Sequence, residues 1–250
     1  MSGTRSAPII DAHVALGEEH YLRLGAAELA GRMEENGIAL AIARPMGAEV
    51  AVFNRRGNER VLSAGPRVRG LVTASPWLGA QATEELKWGR ERGGVGLYLH
   101  PTRQGFMPTD EIVEPLIAYA RGAGWPVVFH TGTYVQSDVL AVAEVARRFP
   151  EVTFVCEGAG FSDMWFELPG VMAEAPNVVL LASLIWPKAI EIAVKTFGAA
   201  RVMFGSGEPR DRIGAALARV ERIGLSEPQR RAVLHDNAAS VFRLGEGVVP

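Results

Sequence analysis

A single (β/α)8 TIM barrel closed by a C-terminal helix is the fold class that this chain of 250 residues predicts. Three observations lead there. Short apolar runs alternate with helical patterns eight times along the sequence. The runs are apolar throughout rather than half polar, as in strands covered on both faces, and the connections between them are short. An open doubly wound sheet is the competing fold, but no G-x-G-x-x-G follows the first strand. At 48% hydrophobic residues the chain can bury one large core, so residues 1–250 are expected to form one domain.

After a polar tail, Pro8 to His13 reads as the first strand, with Asp11 and His13 on one face by the two-residue period and Ala15 next in line. Ala26 to Asn36 has Leu29, Ala30 and Met33 at helical spacing and stops at Gly37. Ile38 to Ala43 is the second strand, ending in Arg44, and a weak helix covers Asn58 to Ala64. Val68 to Thr73 forms the third strand and leads into Ser75, Pro76 and Trp77. A helix capped by Thr83 runs to Arg92, and Gly94 to Leu99 makes the fourth strand, closed by His100 and Pro101.

The helix Asp110 to Arg121 ends at Gly122 and Gly124 and delivers the run WPVVFHTGT. Pro126 to Phe129 is too short for a helix and suits a buried fifth strand, which places His130 where strand meets loop. Val135 to Phe149 is the clearest amphipathic helix, with Val139, Val142, Ala143, Ala146 and Phe149 on one face. Thr153 to Cys156 is the sixth strand, ending in Glu157 and a Gly-Ala-Gly turn. Phe166 to Ala175 is expected to be a helix broken by Pro169 and Gly170. Val178 to Ala182, the helix Pro187 to Phe197, Val202 to Phe204 and the helix Arg210 to Arg222 complete the alternation. A last helix starts at Ser226-Glu227-Pro228 and runs to Phe242.

In such a barrel the site forms at the C-terminal ends of the strands. The polar residues expected there are Asp11, His13, Arg44, Thr73, Ser75, His100, His130, Glu157, Ser183 and the loop Ser206-Gly207-Glu208. Three of the five histidines fall at strand ends, which makes a purely structural role for the whole set hard to sustain. Composition narrows the partner. A net charge of −2 without a basic run excludes the usual nucleic-acid or anionic-membrane footprint and leaves a small-molecule substrate. No bilayer-spanning stretch is present, and the single cysteine, Cys156, fits a reducing, cytoplasmic setting. A homo-oligomer remains open.

The motifs resemble the amidohydrolase-related branch of the amidohydrolase superfamily, which also contains decarboxylases of the aminocarboxymuconate-semialdehyde type. IIDAHVAL is similar to its I-D-x-H-x-H, WPVVFHTG to its P-V-x-x-H-x-G, and FPEVTFVCEGAG to its F-P-x-x-x-x-x-x-H-x-G. RVMFGSGEP is similar to R-x-x-F-G-S-D-x-P, and LHDNAASVFRL to the C-terminal N-A-x-x-x-F. The resemblance implies a divalent metal held by two first-strand histidines, the fifth-strand histidine and the eighth-strand aspartate, with the sixth-strand histidine beside it. Here those positions hold His13, Ala15, His130, Gly207 and Glu157, so the family's standard site cannot form.

Three readings follow. A rearranged zinc, manganese or iron site would use His13, His130 and a carboxylate, with Glu157 ahead of Asp11 and Glu208. A metal-free hydrolase of a small carboxylated ester, lactone or amide would use Glu157 or Asp11 to accept a proton, His130 to relay one, and Arg44 or Arg210 to hold a substrate carboxylate, beside His13, His100, Ser183 and Glu208. A chain retired from catalysis would keep the pocket only for binding.

Other chemistries are set aside. The three lysines, Lys87, Lys188 and Lys195, lie on predicted helices, out of reach of a strand-end Schiff base or carbamate. Cys156 should face the helix layer as a structural thiol. Ser206 lacks the G-x-S-x-G setting of an activated serine, although its glycine-rich loop and the following helix suit an anion. Trp77, Trp165 and Trp186 lie in or near the loops of the same face, where they are expected to pack under those loops ahead of lining an apolar or aromatic pocket.

Overall fold

The computed structural model describes residues 7–133, 135–158 and 165–245, with nothing stated of the Trp165 side chain. Eight strands surround the core in sequence order: β1 (Ile9–Glu19), β2 (Ile38–Pro45), β3 in two segments (Val68–Gly70 and Val72–Thr73), β4 (Leu97–Leu99), β5 (Val127–His130), β6 (Phe154–Glu157), β7 (Val178–Ala182) and β8 (Val202–Phe204). Neighbours pair in parallel from β1 to β3 and again from β3 to β8. The two arcs join within β3, where the Leu71 N–H donates to Ala43 and that of Val72 to Gly96. The seam between β8 and β1 is sewn by Gly207 N–H to His13 O at 2.9 Å and Ala15 N–H to Glu208 O at 2.8 Å.

Two apolar layers follow from the two-residue period. Val128, Val155, Leu181 and Met203 face the barrel interior with Leu40, Ile42 and Tyr98. Their chain neighbours Val127, Phe129, Phe154, Cys156, Leu180 and Phe204 face outward, under the helices. The inward sequence continues to the strand ends, so Arg44, His100, His130, Glu157 and Ser183 project at the top of the barrel. Cys156 is fully buried in the outer layer, where burial pushes its thiol up to about 12, the inert state expected of it.

The helices largely match the periodicity, with instructive departures. β1 runs on to Glu19 and pairs antiparallel with Leu22–Leu24, well beyond the expected His13. Its register shifts between Asp11 and Val14, so strict alternation fails there and Asp11 and His13 do not share a face as expected. The helix Ala80–Glu91 starts at Gly79, leaving Thr83 inside it rather than at its cap. Val139–Arg148 begins later than expected, because the Asp138 carboxylate accepts the Leu140 N–H at 2.8 Å and fixes the start there. Leu168–Glu174 is not broken. Pro169 falls in its first turn, where a missing N–H costs nothing.

The C-terminal segment is helical from Glu227 to Val241, with a π turn at Ala232–Asp236. Ala238 and Phe242 plug the N-terminal end of the barrel. There the Asn237 amide donates to Ala199 and Val202, each at 2.7 Å, and the His235 ring nitrogen Nδ1 donates to Pro8 O at 2.7 Å. No described helix is long and apolar enough to cross a membrane.

Candidate active site

Three side chains from three strands converge on one carboxylate. Glu157 and His130 end adjacent strands in register, Arg44 is near the end of β2, and His13 leaves the irregular part of β1. Glu157 is 2% exposed. Its Oε1 receives Arg44 Nη2 at 2.9 Å, His13 Nε2 at 2.9 Å and His130 Nδ1 at 3.3 Å, while Oε2 receives Arg44 Nε at 3.0 Å. Arg44 is therefore bidentate on Glu157, and its guanidinium lies over the Tyr98 ring, 4.9 Å from the centroid.

The network assigns the protons. An ionised carboxylate only accepts, so the imidazole nitrogens facing it carry their hydrogens. His13 Nδ1 is then the acceptor for the Ser183 hydroxyl, at 2.7 Å. His130 Nε2, which then carries no hydrogen, accepts the Thr133 hydroxyl at 2.9 Å on the cavity wall. The 3.3 Å approach of Arg44 Nη2 to His13 Nε2 is a contact between two donors that share Oε1.

Charge states follow. Burial alone would push the Glu157 carboxyl up, but Arg44, His13 and His130 overcome that and hold it well below the usual carboxylate range. Burial lowers His13 despite the pull of Glu157. His100, stacked on His130, is held well below its ordinary value by burial, then by His130 and Arg44. A carboxylate so depressed and so fully bonded is a weak base, which removes the reason for giving Glu157 the proton-accepting role. The sequence alone could not reveal the bidentate arginine that causes this.

Above the cluster opens a cavity of about 500 Å³. Its wall includes Arg44, His100, His130, Glu157 and Arg210, all singled out in the sequence. Gly158, Glu19, Thr102, Arg103, Thr133 and Leu184 complete it, and the last five were not marked by the sequence as site residues. Arg103 was within reach, since it sits three residues past the strand-end His100, whose ring Nδ1 accepts its N–H at 3.4 Å. Glu19 was hidden because β1 extends six residues past His13. Arg103 and Arg210 flank the Glu19 carboxylate, Arg103 in direct contact and Arg210 at 4.0 Å. Burial and the neighbouring Arg210 both lower the Arg103 guanidinium.

Other expected residues sit elsewhere. Asp11 is fully buried behind the wall, its Oδ1 accepting the N–H of Ser206 at 2.8 Å and of His13 at 3.1 Å. Burial raises its carboxyl to about 6, and Oδ2 has no partner among the described residues. Glu208 turns away from the cavity to Arg32, and its Oε2 accepts the Ile213 N–H at 3.3 Å. It thus supplies the anion for the N-terminus of Ile213–Glu221, the place suggested by sequence for a phosphate or carboxylate ligand. Ser206 is buried and bonded to the His13 carbonyl at 3.3 Å. Thr73 and Ser75 are buried under the Asn58 and Asn54 amides rather than open to the cavity. Trp77 and Trp186 are exposed instead of packed, at 63% and 70%.

Among the described residues, no group of three His, Cys, Asp or Glu side chains is arranged to hold a metal ion. His13, His130 and Glu157 do converge, but the imidazoles offer N–H rather than lone pairs to the shared centre, and a guanidinium occupies both carboxylate oxygens. That donor set does not fit a divalent ion. At the position of the family's aspartate, Gly207 has φ +83°, and an added Cβ would lie 2.9 Å from Leu184 Cγ.

Comparison with known proteins extends the picture. An uncharacterized protein, y4mH, of Sinorhizobium fredii is 28% identical over 125 residues, 40% of this chain and 42% of that protein. A candidate 2-pyrone-4,6-dicarboxylic acid hydrolase from Pseudomonas putida superposes with TM-score 0.74 at 19% identity, covering 94% of this chain and 97% of that one. A dihydroxybenzoic acid decarboxylase from Polaromonas sp. JS666, solved with manganese and 2-nitroresorcinol, gives TM-score 0.77 at 17% identity over 94% and 97%. These structural likenesses carry the fold. The Amidohydrolase family profile matches residues 11–244, in agreement with the motifs read from the sequence, and the chain belongs to that family.

Proposed function

We propose that the protein hydrolyses a small carboxylated ester, lactone or amide in this cavity, with His130 moving the proton. The observation that carries the reading is the placement of His130. One ring nitrogen is fixed on the ionised Glu157 and the other faces the cavity, at 2.9 Å from the Thr133 hydroxyl. In this role the Thr133 hydroxyl turns its hydrogen away, and His130 Nε2 takes a proton from a water molecule as the water oxygen adds to the substrate carbonyl carbon. It then returns that proton to the departing alkoxide or amine. Glu157 holds the imidazole in the required tautomer and stabilises the imidazolium, much as a carboxylate orients the histidine of a hydrolytic triad.

The substrate's carboxylate is assigned to Arg103 and Arg210. Among the described residues, Arg103 and Arg210 share the single carboxylate of Glu19, which leaves one positive charge in excess for a substrate anion to neutralise. The likeness to a protein named for a pyrone dicarboxylic acid supports the same class, since a 2-pyrone is a cyclic ester.

A panel of lactones and esters bearing one or two carboxylates, with hydroxybenzoates as the decarboxylation control, tests the reading by product analysis. Ring opening or ester cleavage that falls roughly 10²-fold or more in His130→Asn is expected. Carbon dioxide release from the benzoates, or hydrolysis indifferent to His130, would overturn it.

A further inference from the structure

We propose that the Arg44 guanidinium is the resident cation of the His13–Glu157–His130 cluster, and that it keeps a divalent metal out of a site otherwise able to bind one. The inference stands apart from the substrate class proposed above, because its test reads metal rather than turnover.

The geometry of the hub is that of an anion coordinated by donors. Three nitrogens on three strands lie within 3.3 Å of Glu157 Oε1, and each directs hydrogen at it. A metal centre has the opposite arrangement, a cation surrounded by lone pairs. Arg44 is what sets this polarity. It takes both carboxylate oxygens, is 14% exposed, and is held from below by the Tyr98 ring. A divalent ion bound by Glu157 and His13 would stand against this fixed positive charge in a site shielded from water.

Removal of that charge would leave a competent set. The hydroxyls of Ser183 and Thr133 can each donate or accept, so both imidazoles can move their proton to the outer nitrogen and turn a lone pair toward Glu157. Two imidazoles and a carboxylate then face one point, a combination that zinc and manganese accept. The change that creates the site is therefore the loss of one arginine.

The experiment uses full-length protein dialysed against manganese or zinc chloride, with bound metal measured by elemental analysis and unfolding followed with and without metal. Wild type is expected to retain no stoichiometric metal and to unfold at the same temperature in both conditions. Arg44→Met is expected to bind one ion per chain and to gain thermal stability from it, and Arg44→Met/Glu157→Gln to do neither. Arg44→Gln, which keeps amide donors and removes only the charge, should behave as Arg44→Met does and serves if the methionine variant does not fold. Stoichiometric metal in the wild type that is lost in His13→Ala or His130→Ala would overturn the proposal. So would a folded Arg44→Gln protein that binds no ion.

Discussion

His100 lies flat against His130, the ring centroids 3.9 Å apart and the planes 24° from parallel. The two rings cannot both carry a charge at that distance without repulsion, and burial keeps His100 neutral. In the proposed reaction His130 would therefore receive its proton beside a ring that stays uncharged. His100→Asn retains a side-chain acceptor for the Arg103 N–H and loses the stack. It should lower kcat about tenfold, the scale of one stacking contact, and leave KM near the wild-type value. A large change in KM with kcat intact would mean that His100 acts through Arg103 alone.

Arg103→Met should raise KM about 10- to 100-fold for carboxylated substrates, the loss expected for one charge-assisted contact. Arg210 is 47% exposed and farther from Glu19 than Arg103, so Arg210→Met should raise KM less. Substrate analogues with the carboxylate replaced by a neutral amide should lose this dependence on Arg103, and steady-state kinetics with the matched pair reads it.

Glu157→Gln strands a buried guanidinium. Breaking such a pair from one side costs about 3–5 kcal/mol, and denaturant unfolding should register it. The combined Arg44→Met/Glu157→Leu variant removes both charges and should be less destabilised than the sum of the single changes. Simple additivity in that cycle would deny the coupling.

Acid should weaken the fold in a particular order. His13 and His100 are lowered in the native state, so the stability tied to their neutral forms is present above their ordinary value of 6.5 and is lost as the pH falls below it. Glu157, also lowered, loses its contribution further down, as the pH falls below its ordinary 4.5. Asp11 runs the other way. Its carboxyl is raised to about 6 from 3.8, so its contribution is complete at low pH and is lost as the pH rises through 6. Urea midpoints between pH 5 and 7 should therefore fall with acid, less steeply in His100→Asn and more steeply in Asp11→Asn.

Gly207→Asp, which restores the residue of the family pattern, should destabilise the protein by about 1–3 kcal/mol through a strained positive φ and overlap with Leu184. Leu184→Ala in the same chain should recover the part due to overlap. A stable Gly207→Asp single variant would show that the loop yields easily.

The barrel was legible because apolar runs of period two and helices of period 3.6 are local signals, and because strand ends fix the height at which side chains emerge. Arg44, His100, His130 and Glu157 could be placed at one rim on that basis. What could not be read is how far each chain segment continues or what a long side chain reaches. β1 carries Glu19 to the cavity, Glu208 turns to Arg32, and a one-residue irregularity sends Asp11 behind the wall while His13 stays in the cluster. The pairing of Arg44 with Glu157 spans 113 residues of sequence and leaves no trace in either local pattern.

The seam between the first and last strands has a consequence for how the pocket comes into being. His13 is steadied by Ser183, 170 residues away, and its backbone by Ser206 and Gly207, more than 190 residues away. As the chain emerges during synthesis, the strands bearing Arg44, His130 and Glu157 can fold onto one another while His13, within reach of Glu157, still lacks the partners of its other ring nitrogen and of its carbonyl. The cluster around Glu157 is therefore a late product of folding, completed only when the eighth strand arrives and the ring shuts. Fragments that end before Phe204 can carry most of the cluster's side chains and still lack its geometry, whereas addition of the missing segment as a separate peptide should restore it.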